Sequence, residues 1–100
     1  MGFRENIFAY VSVIPKGKVS TYGRVAVAAG YPGAARAVGN TLHTNTAPGA
    51  VPCHRVVHSD GSLGRNYAFG GPKAQKERLI AEGVRFIGDR VDMDIYRYED

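Results

Sequence analysis

The sequence has a single cysteine, Cys53, among its 100 residues. One cysteine excludes an internal disulfide and fits a reducing compartment. Cysteine and histidine residues do not recur at the spacing of zinc ligands, so we expect no structural metal and no cofactor. No apolar stretch is long enough to span a bilayer, and the N-terminal residues lack the charged and then apolar run of a signal peptide. These absences predict a soluble cytoplasmic protein that forms one domain over residues 1–100 and does not bind a membrane.

Acidic residues are scarce over most of the chain. Residues 6–76 contain eight lysines and arginines but one acid, Asp60, whereas residues 77–100 contain seven acids and four arginines. The net charge of the whole chain is +4. A charge distribution this one-sided suits a polyanion such as nucleic acid, although a generally basic surface explains the charge equally well.

The spacing of apolar residues predicts helices in the first half of the chain. Residues 3–13 have the apolar spacing of an amphipathic helix. Ser20 or Thr21 can cap a second helix over residues 21–29. A third helix over residues 33–43 follows a Gly-Tyr-Pro-Gly break. Two short helices joined in this way resemble a helix-turn-helix.

In the second half of the chain, the sequence predicts short strands before and after a fourth helix. Residues 55–57 and 62–63 flank a Ser-Asp-Gly turn, which is typical of a small hairpin. Pro72 can begin a fourth helix as its first residue, and Gly83 can end it. Two further strands are predicted after this helix, over residues 84–87 and 90–93.

The hexapeptide Val51–Val56 places a histidine and an arginine directly after the cysteine. A thiolate is a strong nucleophile, and an imidazole within reach can take the thiol proton. A lone cysteine is more often a buried apolar residue, and His54 can reach Cys53 only through a bend or a water. Glu82 is an acid at a helix end, where the macrodipole prefers cations. Its carboxylate either is a solvated surface acid or faces His54 and strengthens the imidazole as a base.

Several polar residues near the helix pair have both an ordinary and a functional interpretation. Arg36 lies among alanines and glycines, and is either an exposed helical arginine or a side chain that approaches DNA closely. Tyr22 is either a half-buried tyrosine or a donor to a phosphate or base. Asn45 is either a helix-end residue or a bracket that ties the helix pair to the cysteine segment. His43 and His58 have no evident partner and are interpreted as surface residues.

Pro52–Val57 resembles the active-site signature of the O6-alkylguanine-DNA alkyltransferases, the methylated-DNA–protein-cysteine methyltransferases. Residues 16–23 resemble the segment that leads into the helix-turn-helix of that family, and Ala34–Gly39 resembles its recognition helix. Asn45 and Glu82 stand at the asparagine and glutamate positions of the family. A six-residue cysteine motif with four further matches in order is a specific signal.

The resemblance implies a mainly α fold with small β elements, a winged-helix-like bundle with a helix-turn-helix and a short hairpin. Its partner would be double-stranded DNA that contains O6-alkylguanine. The helix that contains Arg36 would enter the minor groove, and Arg36 would take the place of the extruded nucleotide. Cys53, deprotonated through a water by His54 with Glu82 behind it, would attack the alkyl carbon. The guanine must be flipped first, because a stacked base is out of reach.

The same resemblance implies roles for the remaining site residues. Tyr22 would help to rotate the nucleotide out and would protonate the departing guanine, and Asn45 would brace the junction. Further contacts to DNA would come from Thr21, Ala35 and Gly39. The base pocket would be lined by Val56, Val57, Asn66 and Tyr67. The thioether product is stable, so each molecule would act once, as a monomer associated with the nucleoid in a prokaryote.

Two features resemble the alkyltransferase-like proteins instead, which bind alkylated DNA without repairing it and direct the lesion to excision-repair proteins. The pocket loop over residues 64–71 is longer than usual and contains Phe69, and the tail extends through Tyr96 and Tyr98. Those proteins usually have another residue, often tryptophan, at the cysteine position, whereas Cys53 is present here. The sequence therefore favours alkyl transfer over lesion binding alone. A third hypothesis is a structural helix-turn-helix DNA binder whose cysteine is incidental.

Overall fold

A computed structural model describes residues 2–47, 49–64 and 67–99 of the chain. Its helices are α1 (Phe3–Ser12), α2 (Tyr22–Ala28), α3 (Ala35–Leu42), α4 (Gly71–Ala81) and α5 (Met93–Tyr96). Its strands are β1 (Ser20–Thr21), β2 (Val56–Val57), β3 (Phe86–Ile87) and β4 (Arg90–Val91), and one turn of 3₁₀ helix covers Cys53–Arg55. The predicted class, mainly α with small β elements, is confirmed.

Helices α1, α2 and α3 pack around the apolar side chains that recur at helical spacing in the sequence. Fully buried side chains come from each of the three helices: Ile7, Val11, Val25 and Val38. The Thr21 side chain caps α2 by accepting a hydrogen bond from the backbone N–H of Arg24 at 3.1 Å. The chain turns from α2 to α3 through Gly30 and Gly33, whose φ angles of +91° and +87° favour glycine. This helix pair is the predicted helix-turn-helix.

Strand β2 pairs with β1 instead of forming the predicted hairpin. The parallel pairs are Ser20 with Val56 and Thr21 with Val57. The Ser-Asp-Gly turn does form, because His58 N donates to Ser62 O at 3.0 Å, but Ser62 then bridges to Arg90. The predicted hairpin over residues 55–63 was therefore wrong. Both valines of β2 are fully buried, and a two-stranded hairpin at the surface leaves such side chains without cover.

Helix α4 and an antiparallel hairpin complete the fold. Helix α4 begins at Gly71, one residue before the predicted Pro72, and ends before Gly83. Strands β3 and β4 pair with Phe86 opposite Val91, within the predicted strands. In the described ranges, no helix has the length and apolar character that crossing a membrane requires.

The C-terminal tail returns to β1 after α5. Val19 pairs in parallel with Arg97. Val19 N donates to Tyr96 O at 2.9 Å, and Tyr98 N donates to Val19 O at 2.7 Å. The tail therefore lies beside the N-terminal end of α2 and is attached there by backbone hydrogen bonds.

Candidate functional site

Cys53 begins the 3₁₀ turn and is 5% exposed. The buried Asn45 lies beside it, just past the end of α3. Asn45 Nδ2 donates to Val51 O at 2.8 Å and to Cys53 Sγ at 3.4 Å, while Asn45 Oδ1 accepts from Ala47 N at 2.9 Å. Asn45 thus has the position of the bracket that the sequence suggests, between the helix pair and the cysteine segment.

His54 lies inside the protein and its ring contacts Glu82. The residue is 1% exposed, and its Nε2 lies 3.0 Å from Glu82 Oε2. His54 Nδ1 is buried and has no hydrogen-bond partner among the described residues. An ionised carboxylate can only accept, so the ring proton of a neutral His54 lies on Nε2 and Nδ1 is left as an acceptor. This is the arrangement of a base with its orienting acid.

Arg55, which has no predicted role, also contacts Glu82. Its Nε donates to Glu82 Oε1 at 2.9 Å and its Nη2 donates to Glu82 Oε2 at 2.6 Å, which makes a bidentate ion pair. The third contact runs from Arg55 Nη1 to Ile14 O at 2.8 Å, just beyond α1. Arg55 and Glu82 are 27 positions apart, so this pairing is visible only in the tertiary structure.

Burial and charge together set the protonation states at this site. Burial raises the pKa of Glu82, but hydrogen bonds from Arg55 and His54 and their charges outweigh it and bring the pKa to about 2. Burial lowers the pKa of His54 by more than the contact with Glu82 raises it. Burial also raises the pKa of the Cys53 thiol, and the hydrogen bond from Asn45 offsets only part of this effect. At neutral pH the site therefore contains a thiol, a neutral imidazole and a carboxylate.

One side of α4 and its C-terminal end provide the polar residues that surround this site. The side chain of Gln75 is buried and donates from Nε2 to the carbonyl oxygens of His54 and Val56, both at 3.0 Å. Arg78 Nη1 donates to Tyr67 Oη at 3.3 Å. Positions 75, 78 and 82 recur at the spacing of one helix face, and this is the sequence signal that places Gln75 and Arg78 near Glu82.

The predicted base-pocket residues are buried where the structure describes them. Val56 and Val57 are fully buried, so their side chains are part of the core. Tyr67 is 5% exposed, and its ring lies 5.6 Å from the ring of Phe69, centroid to centroid. The remaining pocket residue, Asn66, lies outside the described residues. The longer loop thus places an additional aromatic ring against the predicted pocket tyrosine.

Tyr22 and Arg36 line one surface hollow of about 260 Å³, together with Ala35, Asn40 and His58. The Tyr22 side chain is 7% exposed and its ring lies 5.1 Å from the ring of His58. His58 is exposed as predicted, but the prediction that it has no partner was wrong. Arg36 is exposed, as its predicted contact with DNA requires.

Two other predicted DNA contacts, Thr21 and Gly39, lie in helices α2 and α3 or at their ends. Thr21 forms the cap of α2, and Gly39 is buried on the inner side of α3. Cys53 is not among the residues that line the hollow of Tyr22 and Arg36. Within the described ranges, no group of three His, Cys, Asp or Glu side chains is placed to bind a metal ion.

Comparison with known proteins identifies relatives over most of the chain. The family described as 6-O-methylguanine DNA methyltransferase, DNA binding domain, matches residues 2–84. The methylated-DNA–protein-cysteine methyltransferase of Rattus norvegicus is 40% identical over 81 residues, which are 81% of this chain and 38% of the rat protein. The DNA base-flipping protein of Escherichia coli K12 is 39% identical over 99 residues, 96% of this chain and 74% of that protein. The chain thus spans well under half the length of the rat protein.

A solved structure has the same fold over nearly the whole chain. Atl1 of S. pombe, in complex with damaged DNA containing O6-carboxymethylguanine, matches with a TM-score of 0.84 and 33% identity. The match covers 98% of this chain and 95% of that chain. The sequence match and the shared fold lead to the same conclusion: the chain belongs to the family of the 6-O-methylguanine DNA methyltransferase DNA-binding domain.

Proposed function

We propose that the protein flips O6-alkylguanine out of double-stranded DNA and transfers the alkyl group irreversibly to Cys53. The observation that carries the proposal is the contact between His54 Nε2 and Glu82 Oε2 at 3.0 Å. His54 is the residue directly after the cysteine. This contact keeps the ring proton of neutral His54 on Nε2, so Nδ1 is free to accept a proton. A buried thiol with a raised pKa is not ionised at neutral pH, so the reaction needs such a base.

The proposed step exchanges one bond for another. The thiol proton of Cys53 passes through a water to His54 Nδ1, and Glu82 stabilises the imidazolium that forms. The Sγ–C bond to the alkyl carbon forms as the bond from that carbon to guanine O6 breaks. The electron pair of the broken bond moves into the guanine ring, which takes a proton from the Tyr22 hydroxyl. Tyr22 regains a proton from the solvent, and the His54 imidazolium releases the thiol proton to the solvent. The products are unmodified guanine and a thioether on Cys53.

Incubation of the purified protein with duplex DNA that contains O6-methylguanine is expected to add the mass of one methyl group to the peptide with Cys53. The thiol is the acceptor, so Cys53→Ser should show no added mass on the same duplex. Mass spectrometry of the digested protein measures both. Tight lesion binding by the wild-type protein without any added mass would reject transfer.

The second candidate function is lesion binding without transfer, with the lesion directed to excision-repair proteins. Two observations favour it. The match to Atl1 extends over 98% of the chain, including the C-terminal tail beyond the family match, and Cys53 is only 5% exposed. The absence of methyl mass, together with tighter binding to lesion DNA than to undamaged DNA, would select this function.

Arg36→Ala is expected to weaken binding to duplex DNA at least fivefold. Stacking of an aromatic side chain on a base is worth about 1–3 kcal/mol, and we expect a similar value for a guanidinium in place of an extruded base, which corresponds to roughly fivefold to 150-fold in affinity. Fluorescence anisotropy with a labelled lesion duplex at moderate salt measures the change, with both proteins in the Cys53→Ser background so that the lesion persists. An affinity equal to that of the wild-type protein would remove Arg36 from the interface.

A further inference from the structure

The C-terminal tail forms one wall of a second hollow, next to the hollow of Tyr22 and Arg36. This tail hollow has a volume of about 460 Å³. The body of the domain and the tail both contribute lining residues: Ser20, Thr21, Arg24, Ser59, Arg97, Tyr98 and Glu99. Its tail residues lie beyond residues 2–84, which the family match covers.

Backbone hydrogen bonds set the position of Arg97 in this hollow. Val19 bonds to the residues on both sides of Arg97, accepting from Tyr98 N and donating to Tyr96 O. Lys18 Nζ adds a hydrogen bond to Ile95 O at 3.1 Å. The tail is therefore attached at several points without use of the Arg97 side chain, which is available for a ligand.

The chemistry of the lining matches a phosphodiester. Arg24 and Arg97 bring two guanidinium groups, against one lining acid, Glu99. Arg97 is exposed and forms no ion pair with the described residues. Ser20 is 1% exposed, and its hydroxyl has no hydrogen-bond partner in the described part of the chain. Guanidinium groups and hydroxyl donors are the usual ligands of phosphate oxygens.

The tail hollow adjoins the surface where the proposed function places DNA. Thr21 directly precedes Tyr22, and Ser59 directly follows His58, so two chain segments pass from one hollow into the other. A duplex that contacts Arg36 thus has backbone phosphates near the tail hollow.

We infer that the tail hollow binds a backbone phosphate of duplex DNA, with Arg97 as its main ligand. The inference rests on the proposed function for its partner and adds the C-terminal tail to the interface. A phosphate contact carries no sequence information, so it strengthens binding to damaged and undamaged duplexes equally. Its role is to position the domain on the duplex.

Arg97→Gln tests this site, with Arg85→Gln as the matched control. Arg85 is an exposed arginine of the C-terminal region and is not among the lining residues. Affinity for a lesion duplex and an undamaged duplex is measured by anisotropy from 0.05 to 0.3 M sodium chloride, with each protein in the Cys53→Ser background so that no alkyl group is transferred during the titration. The slope of log K against log salt should become shallower by about 0.9 for Arg97→Gln, which is roughly eightfold weaker binding at 0.1 M salt. Arg97→Lys should retain the wild-type slope.

Each outcome either supports or overturns the site. Equal slopes for Arg97→Gln and the wild-type protein would overturn it, and so would an equal loss in Arg85→Gln, which would indicate a general effect of net charge. A loss on the lesion duplex alone would also overturn it, because a phosphate contact acts on both duplexes. Lesion binding by the Cys53→Ser protein with Arg97 intact, in the same titrations, keeps these results separate from a failure of the proposed function.

Discussion

Glu82→Gln is expected to slow alkyl transfer to Cys53 by about 100-fold at neutral pH, the lower end of what a positioned base contributes. The substitution keeps the shape of the side chain but removes the charge that stabilises the imidazolium of His54. It also removes the constraint that puts the His54 proton on Nε2, since an amide can donate as well as accept. Single-turnover methylation with excess protein over O6-methylguanine duplex, stopped at intervals, measures the rate.

The pH dependence of this variant separates a positioning role from a structural one. Burial raises the pKa of the Cys53 thiol, so the proposed transfer should require His54 as a base at neutral pH. At higher pH hydroxide can deprotonate the thiol directly, and the difference between Glu82→Gln and the wild-type protein should narrow. Glu77→Gln is the matched control, because Glu77 is an exposed acid of the same helix. A constant difference at all pH values would contradict the role of Glu82 in proton transfer.

Arg55→Met is expected to lower the free energy of unfolding by about 3 kcal/mol at pH 7, the lower end of the cost of breaking a buried ion pair by removing one partner. The Arg55 and Glu82 side chains are 15% and 12% exposed, so water replaces little of the lost ion pair. The substitution also leaves the carbonyl of Ile14 without its guanidinium donor. Urea unfolding followed by circular dichroism measures the change, with Arg85→Met as the exposed control. A loss as small as that of Arg85→Met would contradict a stabilising role for the pair.

Acid should lower the stability of Arg55→Met less than it lowers the stability of the wild-type protein. The ordinary pKa of a glutamate is 4.5, and in the folded protein the pKa of Glu82 is about 2. A depressed pKa adds stability that is complete above pH 4.5 and is lost as pH falls toward 2, about 3 kcal/mol in this case. Arg55→Met removes the main cause of the depressed pKa, so its stability should fall less between pH 5 and 2. The lowered pKa of Asp60 acts equally in both proteins and cancels from the comparison.

The local elements follow from sequence because their causes are local. Apolar spacing, the Thr21 cap and the glycine turns predict the helix pair, and all are contacts within a few residues. The hairpin predicted over residues 55–63 was wrong for the opposite reason. The partner of β2 is β1, which is distant in the chain. No local sequence pattern predicts that the two buried valines of β2 pair with Ser20 and Thr21.

The candidate site likewise contains residues that the sequence predicts and contacts that only the tertiary structure shows. Cys53, His54 and Glu82 follow from the motif and its resemblance, and the structure brings the last two together at 3.0 Å. The ion pair of Arg55 with Glu82 does not follow from sequence, and the sequence left open whether Cys53 is a buried residue or a reactive thiol. The ion pair and the burial of Cys53 both depend on how α4 packs against the cysteine segment, and both affect the pKa values on which the proposed transfer depends.

The sequence by itself determined the helix pair, the family and the candidate catalytic residues, because these depend on residue type and spacing along the chain. Only the tertiary structure decided which carboxylate oxygen His54 and Arg55 share, and that the tail lies beside β1 with Arg97 in a hollow. Such contacts join residues distant in the chain. Their energies come from burial and geometry, which exist only once the helices have packed.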